Sequence, residues 1–212
     1  MKCIACWSIG SAALLVLAGT TLVGFAPSTP APAVEAVPST GAANFEIDSV
    51  HSTTVFQIQH AGVSNFYGTF QKISGSIVWD KASPESASIT ASIDAASVSS
   101  ANGGRDNHLK GPDFFNAKEH PAITFKSTGL KKTGEGTFDL TGDVTMLGKT
   151  KPVTAKLVVT GEKDTGKYGY RVGMDATFTI KRSDFGITYG IADGALGDEV
   201  TLMVGFAGVR AK

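Results

Sequence analysis

Residues 86–94 read Ser-Ala-Ser-Ile-Thr-Ala-Ser-Ile-Asp, so Ala87, Ile89, Ala91 and Ile93 share one face of an extended chain while Ser, Thr and Asp share the other. That period of two belongs to a strand with one side on a core and one side wet. The same alternation recurs on both flanks. Phe56, Ile58 and His60 alternate with Val55, Gln57 and Gln59, and Ile77 and Trp79 alternate with Ser76 and Val78. Downstream come Ile123 and Phe125, then Phe138, Leu140, Val144 and Met146, then Val153, Ala155, Leu157 and Val159. Two late runs, Tyr170 to Ile180 and Val200 to Phe206, complete at least eight strands.

Turn signals separate the runs: Ser83-Pro84, Thr133-Gly134-Glu135-Gly136, Leu147-Gly148-Lys149-Thr150 and Asp164-Thr165-Gly166-Lys167. Short loops between successive strands predict an antiparallel meander. Gly68, Gly75, Gly142, Gly173 and Gly205 fall inside strands, where glycine permits the coiling that lets a sheet close. A closed all-β barrel is the expectation, although a two-sheet sandwich carries the same alternation.

The chain has 212 residues, and its 19 Lys+Arg balance 19 Asp+Glu. Without a basic excess it lacks the electrostatic footprint for nucleic-acid phosphates or an anionic membrane surface, so no nucleic-acid partner is expected. Lys2 precedes an apolar stretch from Ile4 to Ala26, and a Pro/Ala/Ser/Thr tract follows. These read as a signal peptide over 1–26 and a linker over 27–43, ahead of a barrel domain over 44–212. An uncleaved anchor helix is the competing reading, since about 20 apolar residues span a bilayer. With cleavage, the domain is periplasmic or secreted and keeps no stable membrane insertion. Both cysteines, Cys3 and Cys6, lie in the leader, so the exported body depends on its apolar core and not on disulfides.

Ser97 to Lys118 breaks the strand pattern. Asn102 is suited to cap a helical turn with Leu109 inward, and Pro112 to open a second one carrying Phe114 and Phe115. The segment is a lid candidate, or a crossover that caps one barrel end for stability alone.

Several motifs in fixed order carry a resemblance. They are Asp48-Ser49-Val50-His51-Ser52, Val55 to His60, Gly62-Val63-Ser64, Gly68-Thr69-Phe70, Arg105 with His108-Leu109, Asp113-Phe114-Phe115, His120-Pro121, Leu140 to Thr145, Lys151-Pro152-Val153 and Lys181 to Gly186. The sequence resembles the YceI family, the bacterial lipocalin-like polyisoprenoid-binding proteins, over nearly all of residues 45–207. The resemblance implies an eight-stranded antiparallel barrel with a short helical segment between strands. It also implies export, a long isoprenoid (quinone-like) or fatty-acyl lipid held inside, and no assigned chemistry.

An eight-stranded barrel is just wide enough to be packed solid or to hold one slender ligand. The lipid-contacting wall expected here comprises Phe56, Ile58, His60, Phe70, Ile77, Trp79, Ile89, Ile93, Phe125, Phe138, Leu140, Val144, Leu157, Phe178, Val204 and Phe206. Small inward residues such as Ala87, Ala91, Ala155 and Ala176 either leave a tunnel among these or interdigitate with them in a filled core. Each buried methylene of a bound chain contributes about 0.8 kcal/mol, against about 4 to 15 kcal/mol for lost freedom. Long-chain binding is therefore within reach.

His60, Arg105, His108 and Arg182 are the head-group candidates. Asp106 offers Arg105 an internal partner, and Arg182 with Asp184 suits a structural ion pair or turn. No His-x-His or His-Glu-x-x-His spacing joins His51, His60, His108 and His120, and no Gly-x-Ser-x-Gly elbow is present, so a non-enzymatic reading is preferred with neither metal nor cofactor beyond the lipid. The competing classes are a ligand-free structural or stress-related module, as a homodimer joined along barrel edges, and a metal-dependent enzyme.

Overall fold

A computed structural model describes residues 41–211; the expected leader and nearly all of the linker lie outside them. The elements are β1 (Ala43–Ile47), β2 (Thr53–His60), β3 (Ser64–Phe70), β4 (Ile73–Trp79), β5 (Ser88–Asp94), β6 (Val98–Ser99), α1 (Gly103–Leu109), β7 (Ala122–Gly134), β8 (Thr137–Met146), β9 (Lys149–Asp164), β10 (Tyr170–Lys181) and β11 (Leu196–Arg210). Going round the sheet, β1, β4, β5, β7, β8, β9, β10 and β11 are neighbours, and β11 closes the ring on β1. All pairs are antiparallel. The fold is a closed eight-stranded barrel.

The three remaining segments continue three of its staves. β11 pairs with β1 at Ile47↔Gly208 and with β2 from Gly205↔Thr53 onward, so β1 and β2 form one stave broken at residues 48–52. β3 and β4 are the next stave, kinked at Gln71 and Lys72, because β3 pairs with β2 and β4 with β1. β5 and β6 follow the same logic against β4 and β3. With its broken strands rejoined, the chain runs in the meander order that the short turns imply.

The breaks keep their backbone groups satisfied, as buried polar groups must be. Asp48 N donates to Ala207 O at 2.8 Å, and Ala207 N donates to Ser52 Oγ at 3.0 Å. Gln71 N and Lys72 N donate to Ser97 O and Oγ, both at 3.1 Å. At the first break the Asp48 carboxylate meets His51 Nδ1 at 2.7 Å and Arg171 Nη1 at 2.8 Å, and accepts from Val50 N at 3.0 Å. The His51 hydrogen bond, helped by Arg171 and Val50, outweighs burial and holds this carboxyl well below the usual carboxylate range.

The two halves of the barrel differ. One is filled by Phe45, Ile77, Trp79, Ile89, Phe138, Leu157, Val172 and Met174, with Trp79 set edge-on to Phe138 at 6.0 Å. Glu162 ties this end down by accepting from Trp79 Nε1 at 3.1 Å and from the Tyr170 hydroxyl at 2.9 Å. The other half is crossed by the segment between β6 and β7. Asn102 Oδ1 caps α1 by accepting from Arg105 N at 3.0 Å, as its sequence position implies. The second helical turn expected at Pro112 is replaced by successive turns: Gly111 ends the helix, and Phe115 N and Ala117 N take the Leu109 and Lys110 carbonyls, both at 3.0 Å. Ala101 and Asn116, with φ of 60° and 41°, bracket the crossover.

Because Ile77 is wholly buried in the filled half, Ile77→Ala is expected to cost about 2 to 5 kcal/mol in urea unfolding. Asp48→Asn tests the break. A depressed carboxyl adds stability above its ordinary pKa and loses it as pH falls toward the folded value. The variant should therefore be less stable than the parent at neutral pH, with the gap closing in thermal melts below about pH 4.

Candidate functional site

Above the filled half the barrel is hollow. The cavity has a volume of ≈ 370 Å³, at the lower end of the range for small-molecule sites. Its floor is made by residues that also cap the packed half: Ile73, Ala91, Leu140, Ala155, Ala176, Val204 and Phe206. Alanines on three staves, Ala155 and Ala176 on the adjacent β9 and β10 and Ala91 on β5 further round, are what stop the packing there, since each leaves a gap that the facing side chains do not fill.

Two glycines widen the bore. Gly68 lies directly across from Phe56 in the β2–β3 pair, and a Cβ on it would collide with the Phe56 ring. Gly142 of β8 sits under the Phe125 ring of β7 in the same way. Each ring can therefore lie flat against a neighbouring stave instead of standing into the lumen, an aromatic covering a bare backbone. Phe56, Phe70 and Phe115 then meet in sequence, the first pair tilted and the second edge-on, with centroids 5.9 Å and 5.2 Å apart, linking the wall to the crossover.

Of the wall residues expected from sequence, Phe56, Ile58, His60, Phe70, Ile93, Phe125, Leu140, Val144, Phe178, Val204 and Phe206 line this cavity. Ile77, Trp79, Ile89, Phe138 and Leu157 do not: they point inward but lie in the filled half. Inward parity fixes the face, while height along the barrel decides between wall and packed base. The cavity also takes Thr54, Phe66, Leu109, Phe114, Phe115, Ile187, Tyr189 and Leu196. Thr54 shares the parity of Phe56 and was legible on that ground. Ile187 and Tyr189 come from the irregular segment before β11, where no period marks them.

All four polar candidates line the cavity. Arg105 lies 4.3 Å over the Phe66 ring and donates from Nε and Nη2 to Ser100 Oγ and O, both at 2.8 Å. The expected Arg105–Asp106 pairing does not form; Asp106 instead accepts from Ser100 N at 2.7 Å and from its hydroxyl, which lowers the Asp106 pKa. His108 sits edge-on to Phe114 and Tyr189 at 5.0 and 4.9 Å, with Nε2 3.0 Å from Asp113 Oδ2. His60, at the end of β2, is exposed.

Arg182 is only 3% exposed, and burial lowers its pKa. The expected ion pair with Asp184 is absent among the described residues. Its guanidinium instead donates to the carbonyls of Gly197, Leu196 and Ile187 at 2.7, 3.2 and 3.4 Å, clamping the segment before β11 across the cavity. Asp198 secures the same corner by accepting from Ser183 N and Oγ at 2.9 and 2.8 Å. Among the described residues no three His, Cys, Asp or Glu side chains are placed to share a metal ion, and no helix is long and apolar enough to cross a membrane.

A family model described as a YceI-like domain matches residues 45–207. The chain belongs to the YceI family. Among curated YceI relatives, a UPF0312 protein of Azotobacter vinelandii is 40% identical over 171 residues, covering 80% of this chain and 88% of the relative. Protein YceI of Escherichia coli is 38% identical over 173 residues, covering 81% and 89%. Among solved structures, Burkholderia cenocepacia BcnA aligns with a TM-score of 0.69 at 25% identity, over 76% of this chain and 98% of its own. A Campylobacter jejuni YCEI protein aligns at 0.64 and 31% identity, over 73% and 90%. A Saccharophagus degradans barrel described as a polyisoprenoid binding domain shares the fold at 0.62, with 15% identity over 81% of this chain and the whole of the other.

Gly68→Ala should force the Phe56 ring off its stave and into the bore. The expected cost is about 1 to 3 kcal/mol in denaturant unfolding, with a fall in uptake of apolar dyes. The double variant Gly68→Ala/Phe56→Leu is expected to recover most of the stability.

Proposed function

We propose that this YceI-family chain binds one long apolar molecule, an isoprenoid or a fatty-acyl chain, inside the hollow half of its barrel and serves as an exported carrier or store for it. The observation that carries the reading is the cavity itself. Its wall is nearly all aliphatic and aromatic, its floor is sealed by the packed half, and its few charged groups gather at the crossover end. Burying an alkyl or prenyl chain against such a wall yields affinity through displaced water, with little demand on chemical detail. The description of the Saccharophagus degradans barrel as a polyisoprenoid binding domain supports the isoprenoid option.

The head group belongs at the crossover end. Arg105 has no ion pair among the described residues, and His108 stands beside it on the same helix. Together they suit a carboxylate, phosphate or phenol oxygen. Arg182 contributes less than its charge suggests, because three carbonyls already occupy its donors. Nothing in the reading calls for catalysis or for a resident metal.

Protein purified from an isoprenoid-producing bacterial host and analysed by native mass spectrometry and solvent extraction is expected to carry a near-stoichiometric lipid. Ala176→Phe, which fills the floor, should abolish that lipid while the protein stays folded by circular dichroism. A lipid-free parent after gentle purification, with no uptake of added prenyl or acyl chains, would sink the carrier reading and favour a ligand-free module.

A further inference from the structure

One group in the cavity wall does not fit an apolar bore. Thr54 is 0% exposed, lines the closed end of the cavity, and its Oγ1 has no hydrogen-bond partner among the described residues. Its neighbours across the sheet are Phe70 of β3 and Val204 of β11, and the rest of the floor, Ile73, Ala91, Leu140, Ala155, Ala176 and Phe206, is apolar. An orphaned buried hydroxyl is costly, and a valine would fill the same space without that cost. Water is a poor remedy. A buried water needs two or more polar partners, and this floor offers only one.

We propose that Thr54 is a second polar subsite, which hydrogen-bonds an oxygen carried on the end of the ligand that enters first. The inference rests on the carrier reading and narrows its substrate class to chains that are polar at both ends: an acidic or phenolic group near Arg105 and a hydroxyl, carbonyl or ether oxygen at the tip. A hydroxyl both donates and accepts, so Thr54 serves any of these oxygens. It discriminates by penalty as much as by reward, because a plain methyl terminus leaves Oγ1 unpaired.

The test compares the parent, Thr54→Val and Thr54→Ser by calorimetric titration. The probes are saturated fatty acids from decanoic to octadecanoic acid and their ω-hydroxy counterparts. At the best-fitting length the parent and Thr54→Ser should favour the ω-hydroxy acid over the plain acid by roughly tenfold, and Thr54→Val should lose that preference. Thr54→Val should also melt at a higher temperature than the parent when ligand-free. Equal binding of plain and ω-hydroxy acids by the parent, or a preference that persists in Thr54→Val, overturns the subsite and leaves the carrier reading intact. No binding of any acid to the parent overturns both.

Discussion

The closing strand, β11, is the constraint on which the molecule depends. Over Leu196 to Arg210 it pairs along one side with β10 and along the other with β1 and β2 in turn, so one segment of backbone satisfies both ends of the sheet. Closure removes the edges that an open sheet would expose and fixes the number of staves at eight. Eight staves fix the width, and at that width the interior is either filled by side chains or left just large enough for a slender guest.

This barrel does both, at different heights. Below, large inward residues from facing staves meet: Phe45, Ile77, Trp79, Phe138, Leu157 and Met174 pack into one buried cluster. Above the alanines at 91, 155 and 176 the same inward parity continues, but the rings are held back. Gly68 and Gly142 let Phe56 and Phe125 lie along the wall. The packed half is thus the support that allows the upper half to stay open, since an empty apolar space is tolerated only where the surrounding structure cannot collapse into it.

The strands were legible because a half-wet strand writes its facing into every second residue, and Ser86 to Asp94 does so without interruption. The family was legible from motifs spread over most of the domain. The partition between packed base and open cavity was not, because Leu140 and Leu157 have the same parity on adjacent staves and differ only in height, which depends on strand register. Arg182 shows a second kind of blindness. Its partners are the backbone carbonyls of Ile187, Leu196 and Gly197, and carbonyls leave no mark in a sequence. Thr54 is obscured for a third reason: a polar residue in an inward position reads as an exception to the pattern, although parity fixes its place on the face.

The sealed floor also governs traffic. A bore open at both ends would let a guest pass from one neighbour to another in a single direction, but here packed side chains close one of the two ends. On the proposed carrier role, a guest would have to leave by the route it entered, so a donor and an acceptor would share one rim and take turns.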